Sequence, residues 1–436
     1  MPGPSPAHGT PGTPGAPGTP GLLRAINDRA ALELLLEHGP LSRAAIGRMT
    51  GLSKPTSSQL LARLEAAGLV RVTGTSGGGP GPGAQLYGLD PAAGYVAGLD
   101  VTPGGIRAAV ADITGTVVGT HETAADGSGG AGGGTGGSRG SGGGAVAEQV
   151  ARTLDRALAR AGLGRADVRR TVVATPGAFD PRTGLLRYAD HLPGWHSPAL
   201  LDELAAVLPA PVRYENDVNL VAVAERRLGA ARGHEDFVLL WNEEGLGAAL
   251  VLGGRLHRGW TGGAGEVGFL PVPGGPPVRG VRRLGSGGYQ QLAGAQAVPA
   301  LAAELGITAA PAAGTEASAA AVALLAAAAA RPEGPHLVLL HRYATALATG
   351  LAALVAVLDP EVVVLCGAVT AAGGEPLREL VEAELAELAP SSPRLVAGAV
   401  RDRPVLRGAL ESALAAVREE VFDTSRSARP AQRGRR

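Results

Sequence analysis

The sequence is poor in cysteine, lysine and aromatic side chains. Its 436 residues include one cysteine, Cys366, and one lysine, Lys54, and aromatic residues make up only 3% of the chain. A single cysteine excludes an internal disulfide framework and any zinc site built from several cysteines. It also favours a reducing compartment, so we expect a cytoplasmic protein. The scarcity of lysine beside abundant Arg, Ala and Gly is typical of a high-GC genome and carries no functional signal.

Net charge and long apolar runs are also absent. Lys+Arg and Asp+Glu each number 39, which gives a formal net charge of +0 at pH 7. No global field therefore favours nucleic acid, and any such binding must come from a local patch. Polar residues and glycines interrupt every long apolar run outside the Ala-rich tract 317–330, so we predict no membrane span. The Pro/Gly/Thr-rich N-terminus has neither the basic nor the apolar region of a signal peptide.

Composition divides the chain into segments. Residues 1–20 are Pro/Gly/Thr repeats, which we expect to be a disordered tail. Helices followed by two strands occupy 21–92, and strands alternate with helices over 93–420, which indicates an α/β body. Three further segments interrupt or end this pattern. We predict a flexible Gly/Ser-rich surface insertion at 127–144, an Ala-rich insertion at 308–334 that forms a helix and a loop, and a basic C-terminal tail at 421–436.

The segment LSRAAIGRMTGLSKPTSSQLLARLEAAGLVRVTG, residues 41–74, predicts two short helices and a strand. Gly51 suits a sharp turn between the helices. Ser53 can cap the second helix, and Pro55 is tolerated in its first turn. The positions predicted to face inward are Leu41, Ala45, Ile46 and Met49 in the first helix, and Ser57, Leu60, Leu61 and Leu64 in the second.

Two helices around a glycine turn, followed by the strands LVRVTG and AQLYGL, predict a winged helix-turn-helix. The plain alternative is a helical hairpin with a solvated polar face. In the DNA-binding interpretation, the start of the second helix meets base edges or phosphates, and surrounding arginines meet phosphates, which position but do not specify. The first group is Lys54, Thr56, Ser58 and Gln59; the second is Arg43, Arg48, Arg63 and Arg71.

The body carries further motifs in a fixed order: YVAGLDVTPGGIRAAVADITG, TPGAFDPRTG, LPGW, ENDVN and GGAGEVG. With the winged helix, these motifs make residues 22–420 resemble ROK-family transcriptional regulators of the NagC/XylR type. The resemblance implies a winged helix-turn-helix joined to a two-lobed α/β body of the actin/hexokinase fold. It also implies a homodimer or homotetramer, a double-stranded DNA operator with an inverted repeat, and a small sugar or polyol as effector.

The two turns that hold ATP phosphates in kinases of this family both differ here. Where Asp-x-Gly-x-Thr is usual, residues 100–104 read Asp-Val-Thr-Pro-Gly, and the proline lacks an N–H donor. Where Gly-Thr-Gly is usual, residues 243–245 read Glu-Glu-Gly. Two carboxylates close to phosphate cost on the order of several kcal/mol at low effective dielectric. We therefore predict that the body is not an enzyme and binds no nucleotide cofactor.

Some of the residues that bind sugar in this family are also present in this sequence. Asn216 and Asp217 match the family pair that holds sugar hydroxyls, in which the Asp is the general base. Asp217 is nevertheless predicted to be catalytically inactive, and a plain alternative is that the pair only caps a helix. The residues that the resemblance assigns to a ligand are Gly177, Trp195, Asn216, Asp217, Glu266 and Gln291.

The family's structural zinc site is not expected here. The resemblance places its histidine at Phe269 and its cysteines at Arg282, Leu284 and Tyr289. None of these side chains is a usual zinc ligand, so we predict no bound metal.

Three hypotheses follow. The first is a DNA-binding transcriptional regulator, a repressor, whose degenerate kinase-like body senses a ligand and dimerises. The second is an active ATP-dependent sugar kinase with an extra N-terminal module. The third is a ligand-independent DNA-binding scaffold in which the body only dimerises.

Overall fold

The computed structural model describes residues 20–77, 83–102, 104–124, 142–180, 183, 185–187, 200–209, 211–273, 287–307 and 316–424. The chain divides into two compact units. The first comprises residues 1–94 together with 417–436, and the second comprises 95–416. The predicted tail 1–20 and insertion 127–144 lie almost wholly outside the described residues.

The first unit is built on a helix-turn-helix followed by a wing. Its elements in chain order are α1 (Pro20–His38), β1 (Leu41–Ser42), α2 (Arg43–Thr50), α3 (Lys54–Ala66), β2 (Val70–Thr75) and β3 (Gln85–Leu89). The three strands form an antiparallel sheet in the order β1–β3–β2. This arrangement confirms the predicted winged helix-turn-helix fold.

Local chemistry sets the ends of α2 and α3. Gly51 ends α2 with a left-handed φ of 71°. The Ser53 side chain accepts the N–H of Thr56, and Pro55 lies in the first turn of α3. These three features confirm the predicted turn and cap.

The core of this unit contains five of the eight positions predicted to face inward. Leu41, which lies in β1 and not in the first helix, and Ala45 are half-buried, and Met49 is exposed. Ile46, Leu60, Leu61 and Leu64 are at most 2% exposed, and Ser57 is 1% exposed. Met49 is 47% exposed, so its predicted inward position was wrong. It lies in the last turn of the eight-residue α2, at the edge of the core, where helical spacing alone overestimates burial.

The second unit begins with a lobe of five main strands. Its elements are β4 (Tyr95–Thr102), β5 (Gly105–Asp112), β6 (Val117–Ala124), α4 (Gly142–Arg160), β7 (Val168–Thr175), β8 (Ala178–Asp180), β9 (Leu185–Arg187), α5 (Leu200–Val207), β10 (Val212–Asn216) and α6 (Asp217–Leu228). A second lobe follows, with β11 (Phe237–Asn242), β12 (Leu246–Leu252), β13 (Arg255–Leu256), α7 (Gly288–Ala293), α8 (Ala297–Glu304), α9 (Ala317–Ala330), α10 (Gly334–Leu358), β14 (Val362–Cys366), α11 (Ala368–Leu388) and β15 (Arg394–Ala397).

The two lobes repeat one topology. The sheet orders are β10–β7–β4–β5–β6 and β13–β12–β11–β14–β15. In each sheet the first three strands of the lobe are antiparallel, and the next two main strands add in parallel on the other edge. This duplication confirms the predicted two-lobed α/β body. The last helix, α12 (Pro404–Phe422), begins in the second unit and ends in the first.

The described part of the Ala-rich segment, residues 316–334, includes a helix that packs in the core of the second lobe. Within it, α9 buries Ala321, Leu325 and Ala328 completely in the core of the second lobe, beside α10 and α11. A helix made almost only of alanine has no polar face, so its burial leaves no periodic pattern in the sequence. Small side chains instead allow neighbouring helices to approach closely.

One described helix, α10, is long and apolar enough to cross a membrane by length and composition alone. In its most apolar window, 56% of the residues are buried inside the protein. Tyr343 and Leu347, for example, are 0% exposed in the lobe core. Core helices meet the same criteria, so this helix is weak evidence for a membrane span.

Candidate functional site

A cavity of about 840 Å³ opens in the second unit, where ends of strands from both lobes meet. Clefts of this size at the ends of parallel strands commonly hold small ligands. Four of the residues predicted to bind a ligand line it together, although they lie up to 89 positions apart between Gly177 and Glu266 in the sequence. These are Gly177, Asn216, Asp217 and Glu266.

Asn216 and Asp217 occupy the junction between β10 and α6. The Asn216 side-chain oxygen accepts the N–H of Asn219 at 3.0 Å, which makes it the cap of α6. Its amide donates to the carbonyl of Gly177 at 3.1 Å. Asp217 accepts the N–H of Val218 at 2.8 Å through one carboxylate oxygen. Helix capping and cavity lining therefore coexist in this pair.

Burial dominates the electrostatics of the cavity. It raises the pKa of Asp217 to about 7, and the nearby Asp100 and Glu266 carboxylates raise it further. Burial likewise raises the pKa of Glu266 to about 7. The pKa of Asp100 is also raised by burial, against the opposing effect of Arg107, whose guanidinium lies 3.5 Å away. The cavity thus holds carboxyl groups that can donate or accept hydrogen bonds near neutral pH.

These raised values predict a pH-dependent stability. A carboxyl whose pKa is raised on folding binds more protons in the folded state, so the free energy of unfolding falls as pH rises from about 4 to about 7. Asp217→Asn keeps the acceptor for Val218 but cannot ionise. We therefore expect urea unfolding to show a larger stability advantage of Asp217→Asn over the wild type at pH 8 than at pH 4.5.

The exposed Asp202→Asn substitution in the same unit is the matched control. It removes a carboxylate that does not line the cavity, and we expect the same small effect at both pH values. An Asp217→Asn advantage that is equal at pH 4.5 and pH 8 would contradict the proposed burial of the Asp217 charge.

The turn between β11 and β12 holds its two carboxylates against helix N-termini. Glu243 accepts the N–H of Ala368, the first residue of α11, at 2.8 Å. Glu244 accepts the backbone N–H of Ser318, in the first turn of α9, at 3.3 Å, and it also accepts the Ser318 hydroxyl. Because free N–H groups at helix N-termini attract anions, both carboxylates fill positions that would suit a phosphate.

The turn also approaches the start of α11 very closely. Gly367 has a left-handed φ of 94°, and a Cβ there would lie 2.2 Å from the carbonyl oxygen of Asn242. Burial raises the pKa of Glu243, the Ala368 N–H lowers it, and the neighbouring Glu244 raises it. The two carboxylates of this turn therefore occupy the N-termini of α11 and α9.

Not every predicted ligand residue lies at the cavity. Gln291 is exposed and is not among the described lining residues, whereas its neighbour Gln290 lines the cavity and accepts the N–H of Leu246 at 2.6 Å. Adjacent positions on a helix point in different directions, so a shift of one residue decides which glutamine faces inward. Trp195, like Pro103, lies outside the described residues.

Sequence reasoning missed other residues of the cavity wall. Arg107 and Arg403 both line it, and both pair with Glu122, at 2.9 and 3.4 Å. Arg403 is distant in sequence from every motif of the body, so no local pattern could have identified it.

Two of the positions considered for zinc lie within the described chain. Phe269 lines the cavity, and Tyr289 is 0% exposed with its hydroxyl donating to the carbonyl of Leu347 at 2.6 Å. Arg282 and Leu284 lie outside the described residues. Among the residues that are described, no group of three or more His, Cys, Asp or Glu side chains could hold a metal ion.

The start of α3 presents a polar surface. Lys54, Thr56 and Gln59 are exposed, and Ser58 is half-buried. The Ser58 hydroxyl donates to the carbonyl of Lys54 at 2.9 Å and accepts a hydrogen bond from Arg43 at 3.2 Å. The four residues predicted to contact base edges or phosphates therefore lie together at the start of α3.

The arginines around α3 differ in their surroundings. Arg48 and Arg71 are exposed. Arg63 forms an ion pair with Asp28 of α1, whose side chain is only 4% exposed, while the Arg63 side chain is 42% exposed. Arg63 thus has a structural partner that the sequence did not reveal, and it keeps enough exposure to approach a phosphate.

These features define a class of protein, in which a winged helix-turn-helix is joined to a two-lobed, sugar-kinase-like body. The ROK family model matches residues 145–416, and the chain belongs to the ROK family. A MarR family model matches residues 21–79, the winged-helix part of the chain.

Relatives of this chain include both regulators and kinases. A xylose repressor from Bacillus spizizenii is 24% identical over 251 residues, which are 57% of this chain and 61% of the repressor. A glucokinase from Thermotoga maritima is 37% identical over 105 residues, which are 24% of this chain and 33% of the kinase. The matches therefore span less than two thirds of either curated relative.

A solved structure extends the likeness in fold. A ROK-family transcriptional regulator, a homologue of the E. coli Mlc protein, matches with a TM-score of 0.67 at 20% identity. The match covers 92% of this chain and 97% of that one. At this identity the likeness shows a shared fold.

Proposed function

We propose that this protein is a DNA-binding transcriptional regulator, a repressor, whose ROK body binds a small effector and does not transfer phosphate. The observation that carries the proposal is the polar, exposed start of α3 in a correctly capped helix-turn-helix. Lys54 and Gln59 lie there with side chains that suit phosphate and base-edge contacts. The name of the xylose repressor relative supports the regulatory role.

The state of the phosphate turn supports the non-catalytic part of the proposal. Glu243 and Glu244 already satisfy the helix N-termini of α11 and α9. An ATP phosphate would have to displace both carboxylates and then lie beside them, which is electrostatically unfavourable. Substrate-like residues can remain for binding when phosphate transfer is lost, because ligand binding and chemistry require different groups.

The effector is proposed to be a small sugar or polyol. Asn216, Asp217 and Glu266 line the cavity and offer several hydrogen-bond acceptors, and the two carboxyl groups with a pKa of about 7 also offer donors. Such mixed donor and acceptor capacity suits neighbouring hydroxyl groups. A homodimer or homotetramer in the cytoplasm, bound to an inverted repeat, completes the proposal, since one helix-turn-helix has few basic contacts of its own.

DNA capture tests the proposal. Purified protein is incubated with fragmented genomic DNA at low salt, and enriched fragments are tested by gel shift with and without a panel of sugars. We expect an enriched inverted repeat whose binding weakens with one of the sugars. Absence of any enriched sequence would reject the DNA-binding role, and binding that no sugar alters would favour the ligand-independent scaffold.

The kinase hypothesis is the second candidate, because Asp217 keeps the position of the family's general base. We expect no phosphoryl transfer from Mg-ATP to any common hexose above the level of the Asp217→Asn variant. We also expect no thermal shift with Mg-ATP, whereas a ligand at 100 times its Kd stabilises by about 2.7 kcal/mol. Transfer above that control, measured by coupled ADP release, would overturn the non-catalytic assignment.

A further inference from the structure

The C-terminal end of the chain is part of the winged-helix unit. Residues 417–424, the described part of this end, belong to the first unit, more than 300 positions after the wing. Phe422, near the end of α12, is only 3% exposed. The DNA-reading fold is therefore completed by a segment that no winged-helix motif includes.

A bidentate ion pair joins the end of α12 to α1. Arg29 donates to both carboxylate oxygens of Glu419, at 2.8 and 2.6 Å. It also donates to Glu33 at 2.8 Å, one turn further along α1. The paired geometry fixes the direction as well as the distance between α1 and α12, since a planar guanidinium matches a carboxylate only in one plane.

A second link leads from the same segment to α3. The buried Asp28 accepts hydrogen bonds from the Thr424 hydroxyl at 3.1 Å and from the Arg63 guanidinium at 3.3 Å. Asp28 is 3% exposed, so both donors are needed to satisfy a carboxylate removed from water. One carboxylate thus joins α1, the C-terminal segment and α3.

The same helix starts at the wall of the cavity. Pro404 and Val405, the first residues of α12, line the cavity. A Cβ at Gly408 would lie 1.8 Å from the carbonyl of Leu220, so the first turns of α12 pack directly on the backbone of α6, the helix that begins at Asp217.

From these contacts we infer that Glu419 and Thr424 are positioning residues for the DNA-reading helix α3. They set the orientation of α3 through Arg29 and Asp28, without touching DNA. This inference rests on the proposed DNA-binding function. It assigns to the C-terminal segment a role in DNA specificity that the winged helix alone does not have.

Charge reversal at Glu419 tests the inference. Glu419→Arg opposes Arg29 with a like charge, and we expect the affinity for the captured inverted repeat to fall roughly five- to tenfold. Added positive charge alone would strengthen DNA binding, so a fall cannot arise from general electrostatics. Affinity for a random duplex should not fall, because a misplaced helix loses base contacts but keeps phosphate attraction.

Two further variants make the test specific. Glu420→Arg makes the same change of charge at the exposed neighbouring position, and it should leave the ratio of specific to random affinity unchanged. The triple variant Arg29→Glu, Glu33→Gln and Glu419→Arg restores an opposite-charge pair between the same two positions and avoids a like-charge contact within α1, so it should recover that ratio to within about twofold. Fluorescence anisotropy on both duplexes measures all four proteins, and circular dichroism confirms that each is folded.

The outcomes separate the two proposals. Wild-type specificity in Glu419→Arg, or failure of the triple variant to recover, would overturn the positioning role and leave the DNA-binding function intact. Failure of the wild type itself to prefer the inverted repeat over a random duplex would overturn the DNA-binding function, and the positioning role with it.

Discussion

Gly265→Ala is expected to lower the free energy of unfolding by about 3 kcal/mol or more and to abolish the response to effector. Gly265 has a left-handed φ of 96°, and a Cβ there would lie 2.0 Å from the carbonyl oxygen of Ala248. The added Cβ would clash with the backbone of Ala248 and not with a flexible side chain, so the loop that carries Gly265 must move. Glu266 follows directly and would leave its place in the cavity wall. Urea unfolding measures the first effect, and gel shift with the active sugar measures the second.

Gly253→Ala is the matched control for backbone strain. Gly253 has a left-handed φ of 52°, but no heavy atom lies within 4 Å of an added Cβ. We expect this variant to lower the free energy of unfolding by about 1 kcal/mol, as is typical when a non-glycine residue adopts a left-handed conformation. Equal losses for the two variants would show that the Ala248 contact does not constrain the loop.

Lys54→Ala combined with Gln59→Ala is expected to weaken binding to the inverted repeat about a hundredfold or more. Both side chains are exposed at the start of α3. A base-edge contact contributes roughly 1–3 kcal/mol, and loss of one phosphate contact reduces the salt slope by about 1. Anisotropy titrations at several salt concentrations separate the two contributions, because the loss of a base contact changes specificity and the loss of a phosphate contact changes the slope.

Arg169→Ala controls for the loss of positive charge in that experiment. Arg169 is exposed on the second unit, and its removal should leave the affinity for the inverted repeat within about twofold. A double variant that binds as well as Arg169→Ala would remove α3 from the interface and reject the helix-turn-helix as the DNA reader.

Features set by local chemistry could be predicted from the sequence. Gly51, Ser53 and Pro55 define the turn and the cap through their own backbone preferences, and the structure confirms them. The cap at Asn216 is also local, since a short polar pair between a strand and a helix commonly caps the helix. The place of Asn216 and Asp217 in the cavity wall depends on tertiary structure.

Features that depend on distant partners could not be predicted. The sequence predicts that the carboxylates of Glu243 and Glu244 repel phosphate, but their hydrogen bonds to α11 and α9 depend on helices that begin more than 70 residues later. The link from Thr424 through Asp28 to Arg63 spans most of the chain. Such contacts arise from tertiary packing, which local sequence patterns do not encode.

The most direct test of the account is an anisotropy titration of the captured inverted repeat with the wild type and with Asp217→Asn, at increasing concentrations of the sugar that weakens binding in gel shifts. We predict that the sugar releases DNA from the wild type, and that Asp217→Asn binds DNA equally well but needs at least tenfold more sugar for release. Release at the same sugar concentration from both proteins would contradict the assignment of the cavity as the effector site.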